Sequence, residues 1–203
     1  MGDVVPRLTL TQLELERCPH CSVDLPLLKF NHHVQTKLYD TGNRWWYFYI
    51  CSRCGGGVSA WSITQNGEAI EIFPSPQEVD KALPEKARTY LTQALNSLSA
   101  PAGAVMLAAS AVDAMLKGKG LKEGSLYTRI DKAANDHLIT KEMAAWAHDV
   151  RLDANDQRHA DEESPIPDTA AAKHAVDFAI ALGQFMYVLP ARVKRGLEEV
   201  KGG

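Results

Sequence analysis

Only four cysteines occur in 203 residues, and they fall in two tight pairs, unlike the denser disulfide framework of a small secreted domain. Nothing in the first thirty residues reads as a basic segment followed by an apolar one, and no window approaches the roughly 20 apolar residues that span a bilayer. A cytoplasmic chain with no membrane partner is the expectation. Positive charge is not in excess either: 22 Lys and Arg face 25 Asp and Glu, a formal net charge of −3. With a pI near 6.2, the chain does not coat nucleic acid or an anionic membrane through its overall charge, so any such binding must be local. Residues 1–75 carry 6 basic against 7 acidic side chains and the remainder 16 against 18, so neither part is strongly asymmetric. Internal repeats and low-complexity tracts are lacking. Gly118-Lys119-Gly120 lacks the preceding strand, the glycine spacing and the following Ser or Thr of a phosphate loop, and reads as a helix–helix connection. What remains is 45% hydrophobic and 23% charged, the composition of a globular chain long enough for one ordinary domain and a small one.

The four cysteines stand as Cys18-Pro-His-Cys21 and Cys51-Ser-Arg-Cys54, the second followed by Gly55, Gly56 and Gly57, with residues 22–50, 29 positions, between them. Each CxxC lets two thiolates reach one ion from a tight turn, and glycines after the second pair let backbone N–H groups approach the sulfurs. Four thiolates close the coordination sphere, so Cys18, Cys21, Cys51 and Cys54 are expected to hold a structural Zn2+, with iron as the main rival. His20, His32 and His33 could replace a cysteine, but with four thiolates present they read as loop or strand residues. Between and after the pairs, HVQTKLYD and RWWYFYI read as one hairpin around Thr41-Gly42-Asn43, and VSAWSIT and AIEIF as another around Gln65-Asn66-Gly67. LTLTQLELER, before the first pair, alternates like a short strand. Alternation in RWWYFYI sends Trp45, Tyr47 and Tyr49 to one face and Trp46, Phe48 and Ile50 to the other. The Trp45 and Tyr47 face, beside Arg44 and Arg53, would suit stacking of single-stranded bases; packing of a small ribbon against its neighbour demands the same residues.

Phe73-Pro74-Ser75-Pro76 stops the strand pattern and marks a boundary near 74–80. Beyond it the period is helical. Pro84 suits the first turn of a helix through EKARTYLTQALNSLSA, Pro101 opens an alanine-rich one, and Ser125, Thr140 and Asp168 stand as N-caps of three more. Pro190 is expected to kink or end the last of these. The fold class is therefore α+β: a β zinc ribbon over residues 1–75, then an all-α bundle of about five helices over 76–203.

The stretch Thr140–Ala160, TKEMAAWAHDVRLDANDQRHA, carries the most chemistry. At about 100° per residue, Arg151, Asn155 and His159 share one helical face with His148 and Arg158 beside them, while Met143, Trp146, Ala147, Val150 and Ala154 form an apolar stripe and Asp149, Asp153 and Asp156 an acidic edge. Spacing alone is equally compatible with a solvated amphipathic helix.

Together WAHDVRLDANDQRHADEE, the preceding ITKEM, SLYTRIDKAA and the CPHC and CSRCG pairs resemble a bacterial and phage family of unknown function catalogued under the number 4145. That family is similar to the HEPN superfamily of helical bundles, which often pair as homodimers and carry an Arg…His motif with a polar residue such as Asn nearby. The resemblance implies Arg151, Asn155 and His159 as a metal-independent RNA-cleaving set, with Arg158 and His148 extending the nucleic-acid-binding edge, and a homodimer in which two sets could cooperate. His159 would move a proton, Arg151 would hold the phosphate oxygens through its two-pronged guanidinium, and Asn155 would orient either. Seven residues separate Arg151 from His159, Ala154 stands where the family would favour Gly, and Ser110 and Asp113 stand where it would favour Arg and Glu. A defence- or toxin-type factor acting on RNA follows from this likeness; the alternative is a non-catalytic dimeric adaptor for a larger defence or restriction complex.

Overall fold

A computed structural model describes residues 5–37, 42–75, 79–159 and 165–201, apart from the side chains of Arg158, His159, Val200 and Lys201. The chain is α+β and divides into two compact units, Met1–Gln77 and Glu78–Gly203.

The first unit is an antiparallel five-stranded sheet in sequential order: β1 (Gln12–Leu13), β2 (Leu28–Lys37), β3 (Asn43–Cys51), β4 (Gly57–Ser62) and β5 (Glu71–Phe73). Both expected hairpins form, β2 with β3 and β4 with β5. Part of the first hairpin's expected turn, residues 38–41, lies outside the described residues, and so do residues 76–78 of the expected linker. The leading strand is much shorter than LTLTQLELER suggests. Thr9 Oγ1 donates to the Gln12 carbonyl (2.5 Å) and accepts from its N–H (3.1 Å), a side-chain turn that bends the chain before β1.

Alternation in β3 holds as read, and its consequence is a correction. Tyr47 and Tyr49 have no accessible surface and form the core with Leu8, Leu13, Leu28, Val58 and Ala60. Each hydroxyl is satisfied: Tyr49 donates to the Thr9 carbonyl and accepts from the Thr9 N–H, while Tyr47 donates to Asn66 Oδ1 and accepts from the Asn66 N–H. A ring without exposed surface cannot stack a base, so Tyr47 belongs to the packing alternative. Trp45, half-buried against the same core, is in van der Waals range of His33, ring centres 5.8 Å apart. The opposite face carries Trp46 against Trp61 and Phe73, His32 stacked on Phe48 at 4.4 Å, and Arg44 over Trp61 at 3.9 Å.

The second unit is helical: α1 (Glu85–Asn96), α2 (Pro101–Gly118), α3 (Leu126–Asn135), α4 (Lys141–His159), α5 (Thr169–Gly183), a π turn (Gln184–Val188) and α6 (Leu189–Lys201). Counting the run through the π turn as one, there are five among the described residues. Its starts are set by chemistry visible in the sequence. Ser125 accepts from the Thr128 N–H, Thr140 from Met143 and Asp168 from Ala171, each satisfying an otherwise orphaned first-turn donor. Pro190 neither ends nor breaks the last run. In a regular helix its ring would crowd the carbonyl four residues back, but it follows a π turn in which the Leu189 N–H reaches the Gln184 carbonyl.

α2 lies at the centre, packed against α1, α4 and α5. Its buried face is Ala104, Val105, Ala108, Ala111, Val112 and Met115, and small residues there let neighbouring helices approach closely. α5 answers with Ala172, Ala175, Val176, Phe178 and Ala179; burying the Phe178 ring alone contributes about 2–3 kcal/mol. The stripe read on α4 is real, since Ala144, Ala147, Val150 and Ala154 are buried and Trp146 packs on Phe178 and His174. One expectation from hydropathy needs correction: Thr169–Glu199 contains an 18-residue stretch long and apolar enough by composition to cross a bilayer. Its first half supplies the bundle core, which accounts for that hydropathy.

Candidate functional site

In the first unit the two CxxC turns meet. The Sγ atoms of Cys18, Cys21, Cys51 and Cys54 all lie within 4.8 Å of one another, Cys18 and Cys54 at 3.9 Å. A tetrahedral ion with bonds of about 2.3 Å to sulfur separates its ligands by about 3.8 Å, so the set is compatible with one four-coordinate metal. Both turns are built locally. The Ser22 N–H returns to the Cys18 carbonyl (2.9 Å), with Ser22 at φ 54°, and the Gly55 N–H returns to the Cys51 carbonyl (2.9 Å), with Gly55 at φ 72°. The Gly56 N–H points at Cys54 Sγ, 3.4 Å away. As free thiols Cys54 and Cys51 differ: burial pushes Cys54 up to about 12, whereas at Cys51 the same burial is outweighed by N–H donation from Cys54 and Arg53 and by the neighbouring sulfurs, bringing it down to about 7.

No histidine joins this cluster among the described residues. His20 instead links the two turns: its Nε2 is 2.8 Å from the Gly57 carbonyl, and its ring lies flat against Gly56. A Cβ at position 56 would sit 2.5 Å from His20 Cδ2. Gly56→Ala is therefore expected to displace the ring and weaken metal retention by roughly 10–100-fold, the usual cost of disturbing a group that orients a ligand turn. Competition with a chromophoric chelator measures this, and retention equal to wild type would show that the two turns do not depend on His20.

In the second unit α4 forms one wall of a cleft of about 570 Å³. Arg151 and Asn155 both line it, one turn apart, as the helical spacing predicts. Facing them are Lys86 and Tyr90 from α1, Ser110, Asp113 and Lys117 from α2, and Tyr127 and Arg129 from α3. Four cations thus surround a single carboxylate in a chain whose net charge is −3. That carboxylate is committed: Asp113 accepts from Arg129 Nε at 2.8 Å and from Lys117 Nζ at 2.6 Å, while Arg129 also donates to the Gly124 carbonyl. Ser110 donates back to the Met106 carbonyl. Arg151 is different. Its guanidinium lies 5.3 Å from the Tyr127 ring centre, its Nε is buried without a hydrogen-bond partner, and no carboxylate among the described residues pairs with it. Asp177, a conceivable partner, is held by Lys173 at 2.7 Å.

His148 stands on the same side of α4, outside the cleft lining; it is bonded through Nε2 to Asp131 (3.0 Å), and its ring is tilted against Tyr127, centres 4.6 Å apart. The backbone of Arg158 and His159 continues α4, but their side chains lie outside the described residues. Asp153, on the acidic edge, has its carboxyl raised above the usual range by partial burial and by Asp149 and Asp156.

Sequence reasoning missed Lys86, Tyr90, Lys117 and Arg129, which come from three other helices and share no local motif with Arg151. The only signal was Arg129, a cation on the buried face of α3 that must be paired. Arg129 is 7% exposed, so Asp113→Ala, which strands it, is expected to cost about 3 kcal/mol. Thermal or urea unfolding checks this; a loss below about 0.5 kcal/mol would mean that solvent reaches the guanidinium.

A family described as Domain of unknown function (DUF4145) matches residues 91–199, a span inside the helical unit that includes the α4 wall and excludes the cysteine cluster. Neither the curated proteins nor the solved structures provide a significant match.

Proposed function

Because the chain belongs to the family of Domain of unknown function (DUF4145), whose description assigns no activity, we propose its function from the cleft: the helical unit binds RNA there. The observation that carries this reading is the Arg151 guanidinium, half-buried, unpaired and set beside Asn155 in a cationic cleft. A buried cation without a carboxylate is costly unless an anion completes it, and a phosphate presents the flat pair of acceptors that a guanidinium fits. Lys86 supplies further charge and the exposed Tyr127 ring a surface for a base.

On the HEPN-like reading, His159 follows Asn155 on the same face and supplies the proton transfer for attack of a 2′-hydroxyl on the adjacent phosphorus, with protonation of the leaving 5′-oxygen. His148, fixed by Asp131 and tilted against the Tyr127 ring, would support the wall rather than the reaction. Incubating labelled single-stranded RNA with the metal-loaded chain and with His159→Ala, without added divalent cation, tests the chemical step. Cleavage by wild type alone supports it; binding by both with cleavage by neither leaves an RNA-binding adaptor.

The four cysteines, in this proposal, hold one zinc ion that ties the two turns together. Four thiolates leave no open position for a substrate, so the metal would stabilise the fold without taking part in a reaction.

A further inference from the structure

With Tyr47 and Tyr49 turned into the core, β3 presents Trp46 and Phe48 on its other face. Register sets two rows of side chains there, His32, Phe48, Ser59 and Phe73 in one and Val34, Trp46, Trp61 and Glu71 in the next, each running across β2, β3, β4 and β5. These rings touch one another without closing a second core. Val34 is 45% and Phe73 41% exposed, His32 is exposed, and Trp46 and Phe48 are half-buried. Apolar surface gathered on one sheet face in this way marks a contact site more than scattered exposure does.

The chemistry of the face narrows its occupant. Among the described strand residues it carries Lys29 and Arg44 against one acid, Glu71, which is engaged by the Trp61 Nε1–H at 2.9 Å. The Arg44 guanidinium lies 3.9 Å over the Trp61 ring, and its Nε is buried without a hydrogen-bond partner. β3 and β4 spend their backbone groups on their neighbours, so the face offers a peptide no ladder to extend. It offers rings for bases and cations for phosphates instead. Spacing along β3 selects further. Trp46 and Phe48 stand two residues apart, about 6.7 Å along the strand, roughly twice the 3.4 Å rise between stacked bases. Successive bases can each cover one ring only if the nucleic acid is extended and unstacked, which excludes a duplex. We propose that this face of the sheet is a stacking platform for single-stranded nucleic acid, with Trp46 and Phe48 taking bases, His32 backing Phe48 at 4.4 Å and Arg44 contacting phosphate. The inference does not rest on the cleft reading: it places bases on the first unit by stacking, where that reading places phosphate in the second by charge.

Tryptophan fluorescence and anisotropy with a labelled oligouridylate of about ten nucleotides test it on the full metal-loaded chain. The platform has fewer cations than the cleft, so it is read as the weaker binding that remains in Arg151→Ala. There the single strand should quench tryptophan emission, and the same strand paired with its complement should not. Phe48→Leu added to Arg151→Ala keeps apolar bulk but removes a stacking ring, and should weaken binding about 5–100-fold at unchanged salt slope, melting temperature and near-ultraviolet tyrosine signal. Arg44→Gln in the same background should lower the salt slope by about 1. Wild-type binding that Arg151→Ala abolishes would leave the cleft and overturn the platform. Residual binding that a folded Phe48→Leu does not weaken, or that a duplex shares equally, would overturn it too. No binding by wild type or by Arg151→Ala would remove both readings.

Discussion

Removing the metal from the cysteine cluster is expected to melt the N-terminal unit while the helical unit stays folded. The sheet is too small to stand by its core alone. Its fully buried large side chains are few, chiefly Tyr47, Tyr49, Leu8, Leu13, Leu28 and Val58, and domains under about 80 residues commonly need a metal or a crosslink to offset chain entropy. Structural zinc supplies apparent free energies on the order of 10 kcal/mol in comparable small domains. Cys18 follows a long irregular lead and Cys51 ends β3, so losing the ion frees both the start of the unit and the β3–β4 connection. Chelator treatment, or Cys51→Ser, should abolish the near-ultraviolet signal of the buried tyrosines while the far-ultraviolet helical signal persists. Acid should act in the same direction. Protons compete with the ion for the four thiolates, so the stability that metal binding contributes is present at neutral pH and lost as pH falls and the ion is displaced. Unchanged tyrosine signals after verified metal loss would show that the sheet holds itself.

Arg151→Ala is expected to weaken RNA binding by about 10–100-fold while leaving the fold intact. A charge-assisted hydrogen bond to phosphate contributes about 1.5–3 kcal/mol, and each 1.4 kcal/mol is tenfold in affinity. Folding should be spared because Arg151 gives up no hydrogen bond or ion pair, only its approach to Tyr127. The dependence of log K on log salt should fall in slope by about 1 with the loss of one phosphate contact. Arg151→Lys should recover the slope but not the full affinity, because an ammonium keeps the charge without the planar fork. This pattern separates a phosphate contact from a merely structural role, which would show as a lower melting temperature and an unchanged slope.

The cysteine cluster was legible because its determinants are local: two CxxC turns and a run of glycines fix where four sulfurs can go. The helix starts were legible for the same reason, with Ser125, Thr140 and Asp168 each answering an orphaned N–H three residues on. Period 2 in β3 separated Tyr47 from Trp46 correctly, but it could not say which face was the core. That depended on Leu8 and Leu13 from the lead, on Asn66 from a distant turn reaching the Tyr47 hydroxyl and on the Thr9 backbone reaching that of Tyr49. β1 was foreseen in LTLTQLELER but is shorter than the alternation suggests, because the Thr9 side chain bonds the Gln12 backbone in place of a longer ladder. In the cleft, helical spacing placed Arg151 and Asn155 on one wall, whereas the Asp113–Arg129–Lys117 cluster opposite joins two helices and left only Arg129, a cation on the buried face of α3, as a trace. Pro190 did not end the run, since the π turn Gln184–Val188 before it removes the clash that ordinarily makes proline a stop.

Titration of fluorescently labelled single-stranded RNA with the metal-loaded full chain, followed by anisotropy from about 50 to 200 mM salt, tests the central claim that the cationic cleft is a nucleic-acid site. Saturable binding that weakens linearly in log salt, and weakens further in Arg151→Ala, is the predicted result. Absence of binding at the lowest salt, or binding that Arg151→Ala leaves unchanged in both affinity and slope, would contradict it.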